Sequence, residues 1–123
     1  MKIELERKVW GQVRHAFGSD TCAVSLLHVL AGGYCSRHSH REHVNRFMVV
    51  SAILDVVEYA ADGVTEALRV RLFPGDIHDV LDGVVHRFEA IEPGTVLEVY
   101  WRATPQSKVR ADDIDRLDIG GMA

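Results

Sequence analysis

Residues 32–52 read GGYCSRHSHREHVNRFMVVSA, and this stretch decides how the rest of the chain is read. It sets His38 and His40 two apart, places His43 and Asn45 just beyond, and runs on into an apolar segment. Side chains alternate faces along a strand, so residues i and i+2 point the same way. His38 and His40 therefore project to one side, as a chelate requires. Neutral imidazole is the commonest protein metal ligand, and a pair of them brings no charge to be compensated. A third donor has to come from elsewhere in the chain, and His86 in the segment GVVHRF is the leading candidate.

Working outward, short apolar runs separated by turn signals fill most of the chain. Strands are expected over 12–17, 21–30, 45–51, 53–59, 64–73, 77–80, 84–91 and 95–102, with a short polar one over 36–40. Gly18-Ser19-Asp20, Ala61-Asp62-Gly63, Pro74-Gly75-Asp76, Leu81-Asp82-Gly83 and Glu92-Pro93-Gly94 mark the turns between them. Many short strands at this spacing imply an all-β sandwich or barrel. Only residues 111–117 carry a weak helical pattern. Residues 1–11 read as a polar lead-in, and the tail from Pro105 as a charged segment that wraps the barrel, crosses to a neighbouring subunit or frays.

With 123 residues the chain has the length of a single domain, 1–123, with its core over about 12–103 and a tail over 104–123. The 14 basic and 18 acidic residues give a net charge of -4 with no block of either sign, which argues against nucleic acid and anionic membranes as partners. No apolar run approaches the ~20 residues of a membrane span. The opening MKIELERKVW has no apolar signal core. Cys22 and Cys35 make no disulfide framework, and they read as reduced thiols of a cytoplasmic protein.

The motifs resemble those of the cupin superfamily. Gly32 stands six before His38, His40 follows, Asn45 falls where the first cupin motif has Glu, and Ala52 where it closes on Gly. In the second motif Gly75, Gly83 and His86 match, while Leu81 and Ala90 take the Pro and Asn places. The resemblance spans residues 32–90. The wording NRFMVVSAILDV, FPGD and VVHRFEA is most similar to small single-domain cupins grouped with the cupin-type mannose-6-phosphate isomerases.

That resemblance implies a cupin double-stranded β-helix, a jelly-roll barrel. It implies a divalent metal ion (Mn, Fe, Ni, Co or Zn) held by His38, His40 and His86, with Asn45 as a fourth ligand, and a small-molecule ligand in the barrel. Small cupins of this kind usually pair, and open sheet edges need covering, so a homodimer is expected. Three activities fit. The first is a metal-dependent isomerase or epimerase acting on a small sugar or sugar phosphate, with His78 or Glu98 moving the proton. The second is a dioxygenase with a three-His iron site, and the third a cupin that binds a ligand or metal without catalysis.

Other polar positions admit two readings. His43 shares the parity of Asn45 and lies either in the pocket or on an exposed loop. Glu98, Tyr100 and Arg102 share one face of the last strand. The simpler arrangement puts that face outward, with Leu97, Val99 and Trp101 in the core. Arg69 and Arg71 fit a solvated strand face better than an anion grip, and His28, in an apolar strand, reads as a core histidine.

Overall fold

A computed structural model of the chain describes residues 4–123; residues 1–3, the start of the polar lead-in, lie outside the described residues. The described residues form thirteen strands and no helix. One sheet is built from β1 (Glu4–Lys8), β2 (Gly11–Gly18), β3 (Cys22–Val29), β11 (Gly94–Arg102), β6 (His43–Val49) and β9 (Ile77–Val80), side by side in that order. In the second sheet β10 (His86–Glu92) is central. It pairs with β7 (Ile53–Tyr59), which carries β8 (Glu66–Leu72), and on its other side with β4 (Gly33–Tyr34) and β5 (His38–Ser39). The tail adds β12 (Asp115–Arg116) to β5 and β13 (Gly121–Met122) to β4. All pairings are antiparallel, and the architecture is the cupin double-stranded β-helix.

Period-two alternation sets the core. Val13, Leu27, Val96, Phe47 and Val49 from the first sheet meet Leu54, Val56, Leu72, Phe88 and Ala90 from the second, all buried. The edge of Trp10 packs on the Phe88 ring at 4.8 Å between centroids. Gly75 and Gly83, two of the motif glycines, sit at φ +92° and +79° with open space where a Cβ would be. Their requirement is thus conformational and not steric crowding: the turns before β9 and β10 need the left-handed region.

Three expectations are corrected. The first strand is not the one expected over 12–17: within the polar lead-in, Glu4–Lys8 already pairs with β2 as a hairpin. Residues 111–117 form no helix; Asp115 and Arg116 pair with Ser39 and His38 as a strand, because the free edge of β5 offers backbone partners that an isolated half-helix lacks. The last long strand faces the other way from the simpler arrangement. Val96, at 0% exposure, fixes its parity, so Glu98 and Tyr100 point inward. Trp101 lies outside beneath the Arg46 guanidinium, 5.2 Å from its ring. No helix of the described residues is long and apolar enough to cross a membrane.

Candidate metal centre

The register of the second sheet brings the imidazoles together. His86 on β10 pairs directly with His38 on β5, and His40 follows two residues on. One ring nitrogen from each of His38, His40 and His86 lies within 4.8 Å of the others. All three residues are buried, at 8%, 4% and 1% exposure.

The hydrogen bonds on the far side of each ring set its tautomer. Nδ1 of His38 lies 2.7 Å from the Ser36 carbonyl oxygen, Nδ1 of His86 2.9 Å from that of Val84, and Nδ1 of His40 2.7 Å from that of Asp113. A carbonyl only accepts, so in each ring Nδ1 carries the proton and donates it. Nε2 is left with its lone pair. His40 Nε2 is buried with no hydrogen-bond partner. Burial keeps the rings neutral: it holds His38 well below the usual imidazole range, lowers His40, and brings His86 down to about 4. Three neutral, fixed imidazoles with converging lone pairs fit a divalent cation, and the backbone carbonyls behind them are what such ligands need to keep their orientation.

Asn45 stands beside them. Its Nδ2 donates toward Glu98 Oε2 at 3.3 Å and lies 3.5 Å from His86 Nε2, while its Oδ1 is buried without a protein partner. Glu98 reaches this spot from β11, one strand away from the motif position. Burial pushes its carboxyl up to about 7, against the hydrogen bonds from Tyr100 and Asn45. Burial also raises the Tyr100 hydroxyl well above its usual value, helped by the neighbouring Glu98.

His38, His40, Glu98 and Tyr100 open on a cavity of about 1160 Å³. His38, His40, His43, Glu98 and Tyr100 line its polar end, and Val13, Leu27, Phe47 and Phe88 its apolar wall. β1, β2 and residues 109–120 of the tail flank it. His43 is in the wall and not on an exposed loop, at 2% exposure. Its ring lies between those of His40 and Tyr100, at 4.1 and 4.2 Å; its Nδ1 stands 3.2 Å from Asp113 Oδ2 outside hydrogen-bond geometry, and its Nε2 has no partner. Cys35 also lines the cavity, but burial raises its thiol to about 12, so it is an inert wall group.

The remaining sequence-predicted residues lie elsewhere. His78 is not in the cavity wall; its Nε2 is 2.6 Å from Glu58 Oε2. Arg69 and Arg71 lie on the outer face and pair with Asp55, Glu66 and Glu89. His28 is half-buried and not a core residue, since its parity is opposite to buried Leu27 and Val29; its Nδ1 meets Thr95 Oγ1 at 3.2 Å. Arg102 is exposed. Sequence reading missed Asp113. A contact 73 residues from His40 leaves no local spacing signal, and only the path of the tail reveals it.

No protein-family model and no curated protein sequence matches the chain. Solved structures do match in fold. The chain is similar to oxalate decarboxylase from Bacillus subtilis with a TM-score of 0.76 and 16% identity, over 94% of this chain and 30% of that one. It is similar to KdgF from Halomonas sp. with a TM-score of 0.70 and 20% identity, over 89% of this chain and 91% of that one. CapF, solved with the inhibitor 3-isopropenyl-tropolone, matches with a TM-score of 0.73 and 15% identity, over 96% of this chain and 34% of that one. The chain thus spans about a third of the oxalate decarboxylase and CapF chains and nearly the whole of KdgF. At these identities the likeness defines the class by fold: a cupin-fold protein with a buried three-histidine group.

Proposed function

We propose that the chain is a metal-dependent isomerase or epimerase of a small sugar or sugar phosphate, with Glu98 as its proton carrier. The observation that carries this reading is a buried carboxyl with a pKa near 7 in the same cavity wall as the imidazole group. His38, His40 and His86 would hold the ion, and Asn45 Oδ1 is the remaining unpartnered oxygen donor beside them. A divalent ion held there would polarise a carbonyl oxygen or bind vicinal hydroxyls.

The chain's own groups do the rest. Ionised Glu98 accepts the proton from the carbon beside the carbonyl. Its protonated form returns that proton to the carbonyl carbon while the proton of the adjacent hydroxyl passes to the carbonyl oxygen, so the isomerisation balances. A pKa near 7 leaves both forms populated at neutral pH. The Asn45 amide holds one carboxyl oxygen in place from behind, and Tyr100, which stays protonated, donates to the same group. Val13, Leu27, Phe47 and Phe88 supply apolar wall to the same cavity.

The test is elemental analysis of the purified protein, followed by aldose–ketose exchange in deuterated water. Manganese or zinc with deuterium entering the substrate carbon supports the reading; no exchange with any sugar or sugar phosphate overturns it. A second reading is favoured by one observation, the absence of a carboxylate from the imidazole group itself. A neutral three-His set also suits iron dioxygenation, and iron with oxygen uptake on a chelating substrate would select it.

A further inference from the structure

We infer that Asp113 is a positioning residue of the metal centre, and that docking of the C-terminal segment and metal binding reinforce each other. This rests on the metal-centre reading above. The three imidazoles are not held alike. His38 and His86 each donate Nδ1–H to a carbonyl two residues upstream, in the segment that leads into their own strand. His40 alone depends on a distant carbonyl, that of Asp113. If the tail leaves, His40 loses the group that selects its tautomer and fixes its ring, while the other two keep theirs.

Asp113 holds that carbonyl in place with its own side chain. Its carboxylate, 7% exposed, accepts the backbone N–H of Arg41 at 2.8 Å through Oδ1 and that of Glu42 at 2.9 Å through Oδ2. One residue thus grips the chain on the C-terminal side of His40 and supports its ring. Bonds from the tail to the segment carrying both histidines continue along its length. Leu117 N–H donates to the Arg37 carbonyl at 2.9 Å, Asp118 accepts from Arg37 N and Nε at 2.6 and 2.7 Å, and Ala123 N–H donates to the Gly32 carbonyl at 2.7 Å. On its other side this segment meets β10 through the pairs Glu89–Tyr34 and His86–His38 and through bonds from Gly32 N–H to the Ala90 carbonyl at 2.8 Å and from Cys35 N–H to the Phe88 carbonyl at 3.3 Å, and the His40 carbonyl accepts from Gly83 N–H at 2.7 Å. Gly120 passes so close to the Tyr34 carbonyl that a Cβ would lie 2.6 Å from its oxygen, so the tail is built to lie flat there.

The histidine segment is therefore anchored from both sides, by the tail and by the barrel. Metal binding orders His40, and the ordered ring in turn holds the Asp113 carbonyl. By reciprocity, whatever factor the docked tail adds to metal affinity, the metal adds to tail docking.

The test uses the full chain and Co(II) as the probe. Cobalt absorbance titrations on the wild type, Asp113→Ala and Asp113→Asn give dissociation constants. Hydrogen exchange of residues 109–123 in the wild type, with and without Co(II), reads the tail directly. Expected are a 10–100-fold weaker constant for Asp113→Ala, an intermediate one for Asp113→Asn, which keeps one acceptor, and slower exchange of the tail on adding Co(II). Should Asp113→Ala not fold, Asp113→Asn and the exchange experiment decide. A constant within twofold of wild type in a folded Asp113 variant, or tail exchange unmoved by saturating Co(II), overturns the inference. Wild type that takes up no Co(II), or uptake indifferent to His86→Ala, instead overturns the metal-centre reading, and this inference falls with it.

Discussion

Asn45 and Glu98, on neighbouring strands, share one hydrogen bond of 3.3 Å, and the same amide nitrogen stands 3.5 Å from His86 Nε2. Where the first cupin motif has a glutamate, this chain has an amide, and a carboxyl reaches the amide from the adjoining strand. The register explains it. Asn45 pairs with Tyr100 and Glu98 with Phe47, so the two side chains emerge on the same inner face one step apart. The carboxyl thus stands beside the imidazole group from the adjoining strand instead of from position 45.

Replacing Glu98 with Gln separates those roles. Turnover in the exchange assay should fall by about 10²–10⁴-fold while metal content stays unchanged. Stability should move the other way. The folded carboxyl, near 7, lies above its unfolded value of 4.5, so its stabilising contribution is complete below about 4.5 and is lost as pH rises through 7. At pH 8 Glu98→Gln should therefore unfold at higher urea than wild type. A loss of stability at that pH would show that the ionised carboxylate is held by more than Tyr100 and Asn45.

His86→Ala removes one of the three converging nitrogens and leaves a cavity in a site that is 1% exposed. Bound metal should drop to background in elemental analysis, and the rise in melting temperature that excess metal gives the wild type should vanish. Full retention of metal would break the assignment of ligands.

Acid stability should be governed by the outer face. Asp55 is 2% exposed there, with Arg71 Nε at 2.8 Å and Arg69 Nη1 at 3.2 Å. The Arg71 hydrogen bond, with Arg69, holds the Asp55 carboxyl below its usual 3.8 in spite of burial. A depressed carboxyl stabilises above its unfolded value and loses that contribution as pH falls through the folded one. In urea unfolding the Asp55 contribution should thus be constant above pH 5 and fall away below about 4. Asp55→Asn should cost about 1–2 kcal/mol at pH 7, discounted for the half-exposed arginines, and lose less on going to pH 3. Equal acid sensitivity in both proteins would assign the acid limb to other groups.

The first sheet ends at β1, whose outer backbone edge is unpaired among the described residues, with Leu5, Val9 and Phe17 43%, 60% and 59% exposed nearby. An open edge flanked by apolar side chains needs covering. Light scattering behind a sizing column should give the mass of a homodimer, and Leu5→Lys should shift it toward one chain. A wild-type mass of a single chain removes the dimer.

The sequence by itself determined most of the strand pattern, the turns between the strands and the shared face of His38 and His40. Each is written in local chemistry: alternation with period two, glycines where φ must be positive, and a His-x-His pair whose parity no packing can alter. Only the tertiary structure decided which way the last strand faces. A run such as TVLEVYWR is apolar enough on both faces to satisfy either parity, and the choice fell to Val96 and its neighbours on β3 and β6. The tertiary structure alone also set Asp113 behind His40, because a bond between residues so far apart in the chain depends on where a short polar tail finds a free strand edge.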